Sequence, residues 1–313
     1  MIEVQRLRQL ALPAAQAGAP DGLSAASGMV VAGDFLYVVA DDELHLAVFD
    51  LAGRRDGSWV RLFPGHLPEA KRARKARKPD LEALVRLPAF AGYPGGALLV
   101  LPSGSRPNRQ TGALLGMHGS GALDGRSCAV DLSALYAPLQ RRFPGLNIEG
   151  AVACGPELVL LQRASGDHPE NALVGFALAD VLQALGATGE LHVPALRARI
   201  ATVELGRVQG IPLGLTDAAA LADGHLVVSA VAENVGDTYH DGPCAGAAVA
   251  ILAADGTVQR LESLQPVWKI EGIAARQDRA VLQLLLVTDA DDRGKPAALL
   301  RGSLALLPGI ARA

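Results

Sequence analysis

Polar residues recur at equivalent places in short apolar segments of this 313-residue sequence. They lie about 60 residues apart and are Ser27, Glu82, Glu149, Thr216 with the adjoining Asp217, and Glu271. A carboxylate within an apolar strand is costly to bury unless it has a partner. If these side chains converge, they cannot all stay ionised without a counter-charge, and oxygen ligands suit a hard cation, most naturally Ca²⁺. The pattern therefore predicts one shared metal site.

The segments that carry these residues share one plan. Each begins with a short apolar strand, continues through a glycine turn into a second strand, and is followed by a third apolar run. A fourth run follows in the first four repeats, whereas the fifth repeat lacks one. Five repeats of four short strands are typical of a β-propeller. We therefore predict an all-β, five-bladed propeller forming a single domain over residues 1–313, with six blades as the alternative.

The chain ends complete this prediction. Residues 2–10 read as a strand and are expected to pair with the strand near 297–304, so that the amino terminus closes the last blade. A parallel α/β fold would need amphipathic helices of ten or more residues between strands. Only residues 178–187, and less clearly residues 66–78, have that pattern. In a propeller the innermost strands line the central channel, which would bring the recurring polar residues together at its mouth.

The composition limits the possible partners and compartments. The chain is 50% hydrophobic with a net charge of −3, so it can bury a large core, and the whole-molecule field argues against a nucleic-acid partner. Its three cysteines form no CxxC motif, which is typical of reduced thiols in a cytoplasmic protein. The longest apolar block, residues 280–287, is too short to cross a bilayer. We predict a cytoplasmic protein without membrane segments.

The order Ser, Glu, Glu, hydroxyl or acid, Glu on successive inner strands resembles that of the calcium-activated nucleotidases. These apyrase-type enzymes are five-bladed propellers with a central Ca²⁺ that hydrolyse nucleoside di- and triphosphates. The resemblance implies axial Ca²⁺ ligands at Ser27, Glu82, Glu149, Thr216 and Glu271. Asp217 beside Thr216 departs from the apyrase pattern, in which a serine is expected. The strands that begin with Glu-Gly or Glu-Ala also resemble phytase-like and esterase-like propellers of unknown substrate.

Loops expected around the channel mouth carry basic and aromatic residues. Arginine forks bind phosphate or carboxylate oxygens, and a tryptophan can stack on a ring. The predicted substrate-binding residues are Arg106, Arg109, Arg163, Trp268 and Arg293. The predicted general bases are His168, His240 and Asp241. The basic run at residues 71–78 is predicted to be a solvated loop.

Together these features favour a metal-dependent hydrolase that acts on a phosphoryl or ester bond of an anionic small molecule. Two alternatives remain open. One is a non-catalytic binding propeller with a structural axial ion, and the other is a lactonase-type enzyme with an axial divalent metal. The sequence contains no HExxH, GxSxG or P-loop motif that would decide between an enzyme and a binding protein.

Overall fold

The computed structural model describes residues 1–12, 22–164, 168, 170–186, 191–233, 244–292 and 294–306. The chain begins with two short strands, β1 (Ile2–Glu3) and β2 (Gln5–Gln9). Blade 1 follows as an antiparallel sheet in chain order, with strands β3 (Ala26–Ala32), β4 (Phe35–Ala40), β5 (His45–Asp50) and β6 (Ser58–Arg61).

Blade 2 is reached through helix α1 (Lys71–Arg77). Its strands are β7 (Leu81–Leu87), β8 (Ala97–Pro102), β9 (Thr111–Met117) and β10 (Leu123–Asp131). Helix α2 (Ser133–Arg142) then leads to blade 3. Blade 3 contains β11 (Ile148–Cys154), β12 (Glu157–Gln162), β13 (Asn171–Ala177) and, after helix α3 (Leu178–Leu185) and strand β14 (Leu191–His192), β15 (Arg199–Val203). Strand β14 joins the outer edge of blade 2, parallel to β10.

A small hairpin, β16 (Arg207–Val208) and β17 (Ile211–Pro212), precedes blade 4. Blade 4 contains β18 (Gly214–Ala220), β19 (Leu226–Glu233), β20 (Cys244–Leu252) and β21 (Val258–Gln265). Blade 5 contains β22 (Ile270–Asp278), β23 (Val281–Thr288) and β24 (Ala298–Ala305). Its fourth strand is β2 from the amino terminus, which pairs antiparallel with β24.

The five-bladed propeller and its closure by the amino terminus are therefore confirmed. Gln5 pairs with Arg301 and Gln9 with Ala298, as the missing fourth strand of the fifth repeat predicted. One detail differs, because β1 leaves blade 5 and pairs parallel with β21 of blade 4. The amino terminus thus joins blades 4 and 5, since the Val4 N–H donates to the Gln265 carbonyl at the crossing point.

Hydrophobic clusters between adjacent blades hold the ring together. The described residues form five of them, one at each junction from blades 1 and 2 round to blades 5 and 1. Strand β8 shows how this arises from the sequence. Leu98 and Val100 face blade 1, whereas Leu99 and Leu101 face blade 3, so alternate side chains enter two different cores. Strand β8 is consequently apolar at every position.

Two of the three helices agree with the sequence prediction. Helix α3 lies within residues 178–187 and α1 within 66–78, although the basic run was expected to be a loop. Helix α2 was missed because Pro138 interrupts its pattern, and proline removes a helical hydrogen bond. It forms because Leu135, Tyr136 and Leu139 pack into the core between blades 2 and 3. In the described part of the chain, no helix has the length and apolar character needed to span a bilayer.

Candidate functional site at the channel mouth

A bulge opens each inner strand at the position that the sequence singled out. In blade 1, paired residues Ala26 and Gly28 flank Ser27, which has no partner on β4. In blades 2, 3 and 5, the residues without a partner on the second strand are Glu82, Glu149 and Glu271. A bulge leaves its extra residue outside the ladder and turns its side chain in a new direction. These four residues therefore occupy structurally equivalent positions at the start of the channel.

The residue after each bulge is small because neighbouring inner strands approach closely there. A Cβ on Gly150 would lie 2.7 Å from the Thr216 carbonyl oxygen, and one on Gly28 would lie 2.9 Å from the Glu82 carbonyl oxygen. Gly272 is equally confined. The inner strands of the five blades contact one another in a closed ring. The repeated Ile-Glu-Gly sequence thus combines a carboxylate aimed by a bulge with a glycine that keeps the channel narrow.

Blade 4 departs from the predicted ring. Two residues, Thr216 and Asp217, stand opposite the single residue Ser229, and neither lines the mouth cavity described below. The Thr216 hydroxyl is fully buried and lies 2.7 Å from the Ser229 hydroxyl. The role of Thr216 as an ion ligand stays a prediction, although its hydroxyl is bonded to Ser229 and lies outside the cavity lining.

Asp217 lies within the channel and contacts other blades. Its Oδ2 accepts a hydrogen bond from the Ile273 N–H at 3.1 Å, whereas Oδ1 has no hydrogen-bond partner among the described residues. Burial raises the pKa of Asp217 well above its usual value, opposed by backbone N–H groups of Ile273, Ala218 and Met29. The structure thus places the Asp217 carboxyl group outside the cavity lining, where it joins blades 4 and 5, and its role as an ion ligand stays a prediction.

A cavity of about 640 Å³ opens at the mouth. Ser27, Glu82, Glu149 and Glu271 all line it, together with many charged side chains that the ring prediction did not include. The further charged lining residues are Asp41, Lys75, Lys78, Asp80, Arg106, Arg109, Arg163, Glu233, Lys269 and Asp289. The mouth is thus a densely charged cavity of both signs rather than a ring of carboxylates alone.

One side of this cavity, the blade 1–2 wall, consists of Asp41, Lys78, Asp80, Glu82 and Arg109. The carboxylates of Asp41, Asp80 and Glu82 place oxygen atoms within 4.8 Å of one another. Lys78 contacts Asp41 and lies 2.9 Å from Asp80, whose other oxygen is 2.7 Å from an Arg109 nitrogen. Glu82 has no hydrogen bond or ion pair within the described ranges. Three carboxylates so arranged form an acidic cluster suited to a divalent cation.

The pKa values of the three carboxyl groups on this wall differ because Lys78 and Arg109 lie closer to some of them than to others. Burial raises the pKa of Glu82 well above its usual value, and the nearby charges of Glu149, Asp80 and Asp41 raise it further. Burial also raises the pKa of Asp41. Burial alone would raise the pKa of Asp80 too, but Lys78 and Arg109 outweigh it and hold that pKa below its usual value. Glu82 is thus the carboxyl group on this wall that most lacks a positive partner.

The opposite side, the blade 3–5 wall, consists of Glu149, Arg163, Glu233, Lys269 and Glu271. The Arg163 guanidinium lies 2.6 Å from Glu233, 3.5 Å from Glu149 and 3.7 Å from Glu271. The Lys269 ammonium lies 3.0 Å from Glu233 and 3.5 Å from Glu271. Every carboxylate of this wall therefore has a cation of the chain itself. The role of Glu149 and Glu271 as ligands to one axial ion stays a prediction, and an ion bound to both would have to displace Arg163.

The pKa values on this wall follow the same contacts. Burial raises the pKa of both Glu149 and Glu271, although Arg163 and Lys269 oppose it. Burial would also raise the pKa of Glu233, but the same two cations outweigh it and lower that pKa. Beside this wall, burial raises the pKa of Asp289 to about 7 despite the Lys269 ammonium 3.2 Å away.

The predicted substrate-binding residues have different environments. Arg106 lines the cavity and is exposed, whereas Arg109 and Arg163 line it as buried members of ion pairs. Trp268 was predicted to stack on a substrate, but it packs half-buried against the hydrophobic cluster between blades 4 and 5 and is absent from the cavity lining. Its indole packs among the aliphatic side chains between blades 4 and 5. Arg293 lies outside the described residues.

Of the predicted general bases, only His168 can be placed. It is exposed, and its ring lies against Gly145, which lines the cavity. His240 and Asp241 lie outside the described residues.

The sequence prediction missed Asp41, Lys78, Asp80 and Glu233 as members of the site, although a repeat signal for part of it was present. The residue after the second strand donates its N–H to the carbonyl two residues before the bulge. This bond joins Asp41 to Ala25, Ser103 to Asp80, Arg163 to Asn147 and Asp289 to Lys269. Aligning the repeats at the ends of their second strands would have identified Asp41 and Asp289 in addition to Arg163, which the sequence analysis had already singled out.

Comparisons with known proteins identify a family but no activity. A family described as "Family of unknown function (DUF6929)" matches residues 22–304. No curated protein matches the sequence. Similar solved structures include a luciferin-regenerating enzyme at 10% identity and a TM-score of 0.47, covering 98% of this chain and 96% of that one.

Two further structures have a similar level of likeness. A chain of a nidogen/laminin complex has 10% identity and a TM-score of 0.44, with 97% and 99% of the two chains covered. Hydrazine synthase of Kuenenia stuttgartiensis has 12% identity and a TM-score of 0.40, with 95% of this chain and 68% of that chain covered. Because each TM-score is below 0.5, these similarities carry no argument about this chain.

Proposed function

The chain belongs to this family of unknown function, DUF6929, and we propose that its mouth cavity is the site of a divalent-cation-dependent hydrolase. The proposed substrate is an anionic small molecule with a phosphoryl or ester bond. The observation that carries the proposal is the group of Asp41, Asp80 and Glu82, whose oxygen atoms lie within 4.8 Å of one another on the wall of a cavity of about 640 Å³.

Ca²⁺ is the cation that this donor set favours. All three side chains offer hard oxygen atoms, and Ca²⁺ accepts irregular oxygen coordination more readily than Mg²⁺ does. Burial raises the pKa of Glu82, and the neighbouring carboxylates raise it further. A dication would relieve that repulsion, which supports the assignment. Lys78 competes for the same oxygen atoms, so its ammonium would have to leave Asp41 when the ion enters.

The chain's own residues would bind and orient the substrate. Arg106 is the exposed cavity arginine and would hold an anionic group of the substrate through its guanidinium fork. His168 lies at the cavity edge beside Gly145 and is the candidate general base among the described residues. The bound ion would supply Lewis acidity, polarising an oxygen of the scissile group or lowering the pKa of water.

The test is cation binding by the chelator-treated protein, measured by calorimetry with Ca²⁺ and with Mg²⁺. We expect Glu82→Gln to weaken Ca²⁺ binding by at least about tenfold, because it removes one anionic ligand. Asp289→Asn is the matched control, since it removes a cavity carboxylate from the other side and should leave Ca²⁺ affinity near that of the wild type. Equal affinity in the wild type and Glu82→Gln, or no Ca²⁺ binding, would refute the cation site.

Activity is tested separately on phosphate monoesters and carboxylate esters, with and without chelator. Arg106→Ala should raise KM for the hydrolysed substrate without changing Ca²⁺ affinity. Hydrolysis that survives complete removal of metal would contradict the proposed dependence on the ion.

A non-catalytic binding propeller is the second candidate. It is favoured by Lys78, Arg163 and Lys269, which already neutralise most carboxylates of the mouth, so the cavity does not need an ion for charge balance. A protein that binds Ca²⁺ and anions but hydrolyses none of the tested esters would support this candidate.

A further inference from the structure

Arg163 holds an unusual position in the propeller. It follows β12 of blade 3, yet its guanidinium contacts carboxylates from three blades: Glu149 of blade 3, Glu233 of blade 4 and Glu271 of blade 5. Two of these glutamates occupy the equivalent bulge positions at the channel mouth. The side chain is only 11% exposed. A single buried cation thus joins the carboxylates that would otherwise repel one another across the channel.

The surrounding chain holds Arg163 in this position. Its backbone N–H donates to the Asn147 carbonyl, and its carbonyl accepts from the Gln162 side-chain amide at 2.7 Å. Gly214 leaves the necessary space, because a Cβ there would lie 2.9 Å from the Arg163 Nε. The arginine is therefore fixed from its backbone to its guanidinium, and blade 4 contributes a glycine where a side chain would collide with it.

The charges explain why a cation belongs here. Burial lowers the pKa of Arg163, but Glu149, Glu233 and Glu271 outweigh it and raise that pKa, so the guanidinium stays charged. Removing one member of a buried ion pair leaves an uncompensated charge, which strongly destabilises the folded state. Without Arg163, carboxylates from three blades would face one space with Lys269 as their remaining cation, and in the described structure Lys269 contacts only Glu233 and Glu271 of the three. Such a partly neutralised group of carboxylates suits a divalent cation.

We propose that Arg163 is a tethered cation that takes the place of an axial metal ion among the glutamates of blades 3, 4 and 5. It is a positioning residue, because it orients Glu149 and Glu271 and prevents their use as ligands. Metal binding is thereby confined to the blade 1–2 wall, and this consequence alone rests on the proposed function.

The test counts bound Ca²⁺ ions in the full chain by equilibrium dialysis and metal analysis. Arg163→Met removes the charge while keeping most of the side-chain volume, and it should bind one Ca²⁺ more per chain than the wild type. Arg163→Lys restores a tethered cation and should return the count to that of the wild type. Arg74→Met is the matched control, because Arg74 is a buried arginine paired with Asp42 and Glu43 outside this cavity, and it should add no ion.

Stability gives a second readout on the same variants. Arg163→Met should unfold at a lower temperature than the wild type without metal, and millimolar Ca²⁺ should recover most of that loss. An unchanged ion count in folded Arg163→Met would overturn the inference. So would an Arg163→Met chain that stays unfolded in millimolar Ca²⁺.

The outcomes separate this inference from the proposed function. A wild type that binds no Ca²⁺, with an Arg163→Met variant that binds one, would support the tethered cation and refute the metal site of blades 1 and 2. A wild type that binds one ion, with a folded Arg163→Met that also binds one, would refute the tethered cation alone. In the wild-type background, Glu149→Gln combined with Glu271→Gln should keep the bound ion, and its loss would place that ion on the axis instead.

Discussion

The two walls of the mouth cavity use similar residues in opposite ways. On the blade 3–5 wall, Arg163 and Lys269 contact every carboxylate, and the charges form a closed network. On the blade 1–2 wall, Lys78 and Arg109 both contact Asp80, while Glu82 lacks a hydrogen bond or ion pair in the part of the chain that the structure describes. The equivalent bulge positions therefore hold a neutralised carboxylate on one side and an available one on the other.

Repeat symmetry alone therefore does not define a metal site. Glu82, Glu149 and Glu271 are equivalent in the propeller, but their chemistry depends on which cation lies beside them. A carboxylate that already has a buried arginine gains little from an added ion, whereas one without a partner gains much. The comparison thus predicts where perturbations of the two walls should differ.

The largest loss of stability is expected when the lysine of each wall is replaced. Lys269→Met should lower the free energy of unfolding by about 3–5 kcal/mol, because its ammonium contacts four carboxylates and only Glu233 and Glu271 of these keep a contact with Arg163. Lys78→Met should cost less, since among the described residues its ammonium contacts only Asp41 and Asp80, and Asp80 keeps its contact with Arg109. Urea unfolding of both variants measures the difference, with the exposed Lys295→Met as a control that should match the wild type. A loss for Lys78→Met equal to that for Lys269→Met would contradict the contrast between the walls.

Substitutions at the residues that follow the bulges should change the free energy of unfolding less. Gly150→Ala should destabilise by about 1–3 kcal/mol, because its Cβ would collide with backbone atoms of Thr216 and Asp217. Blade 2 already has Ala83 at the equivalent place, so Ala83→Gly should cost only about 0.5–1 kcal/mol through added backbone freedom. Thermal unfolding of the two variants compares them. If Gly150→Ala is as stable as the wild type, the inner strands do not approach as closely as the structure indicates.

Measured over one pH unit, the smallest effect is a dependence of the unfolding free energy on pH that has opposite signs for Asp289 and Asp80. The folded chain holds the Asp289 proton up to a pKa of about 7, whereas the unfolded chain loses it near 3.8. The folded state therefore binds more protons in that window, and the stability contribution of Asp289 falls as pH rises through it. Asp80 has a lowered pKa, so its contribution is present above 3.8 and is lost as the pH falls.

Chemical denaturation between pH 4 and pH 8 in chelator would measure these contributions. Asp289→Asn should flatten the decline towards neutral pH by at most about 1.4 kcal/mol per pH unit, and Asp80→Asn should change only the acidic side. A steeper decline in Asp289→Asn than in the wild type would show that the sign is wrong.

The sequence was sufficient for the fold because the fold depends on repetition. Alternating apolar residues, glycine turns and a missing last strand recur about every 60 residues, and each repeat reports the same local geometry. The pairing of Gln5 with Arg301 followed from that count. The parallel pairing of Ile2 with Leu264 did not, because a two-residue strand has no periodicity to detect.

Part of the candidate site could likewise be predicted from the sequence, and part of it could not. Four of the bulge residues could be found in the sequence because each occupies the same place in a repeat. Their partners could not, since Arg163 meets Glu233 and Glu271 across 70 and 108 residues of chain, and no local pattern links them. Trp268 is a related case, because it precedes β22 and the sequence does not reveal whether its indole turns towards the cavity or towards the core between blades 4 and 5.

Strand alternation and repeat position are local properties of the chain, and they were enough to identify the four bulge residues that line the channel mouth. Which cation neutralises each carboxylate of the mouth depends on the tertiary structure. Closing five blades into a ring brings Lys78, Arg163 and Lys269 to particular carboxylates, and burial then makes each of those contacts strong. Electrostatic free energy in a buried site depends on distances between atoms far apart in sequence, and those distances exist only once the ring has closed.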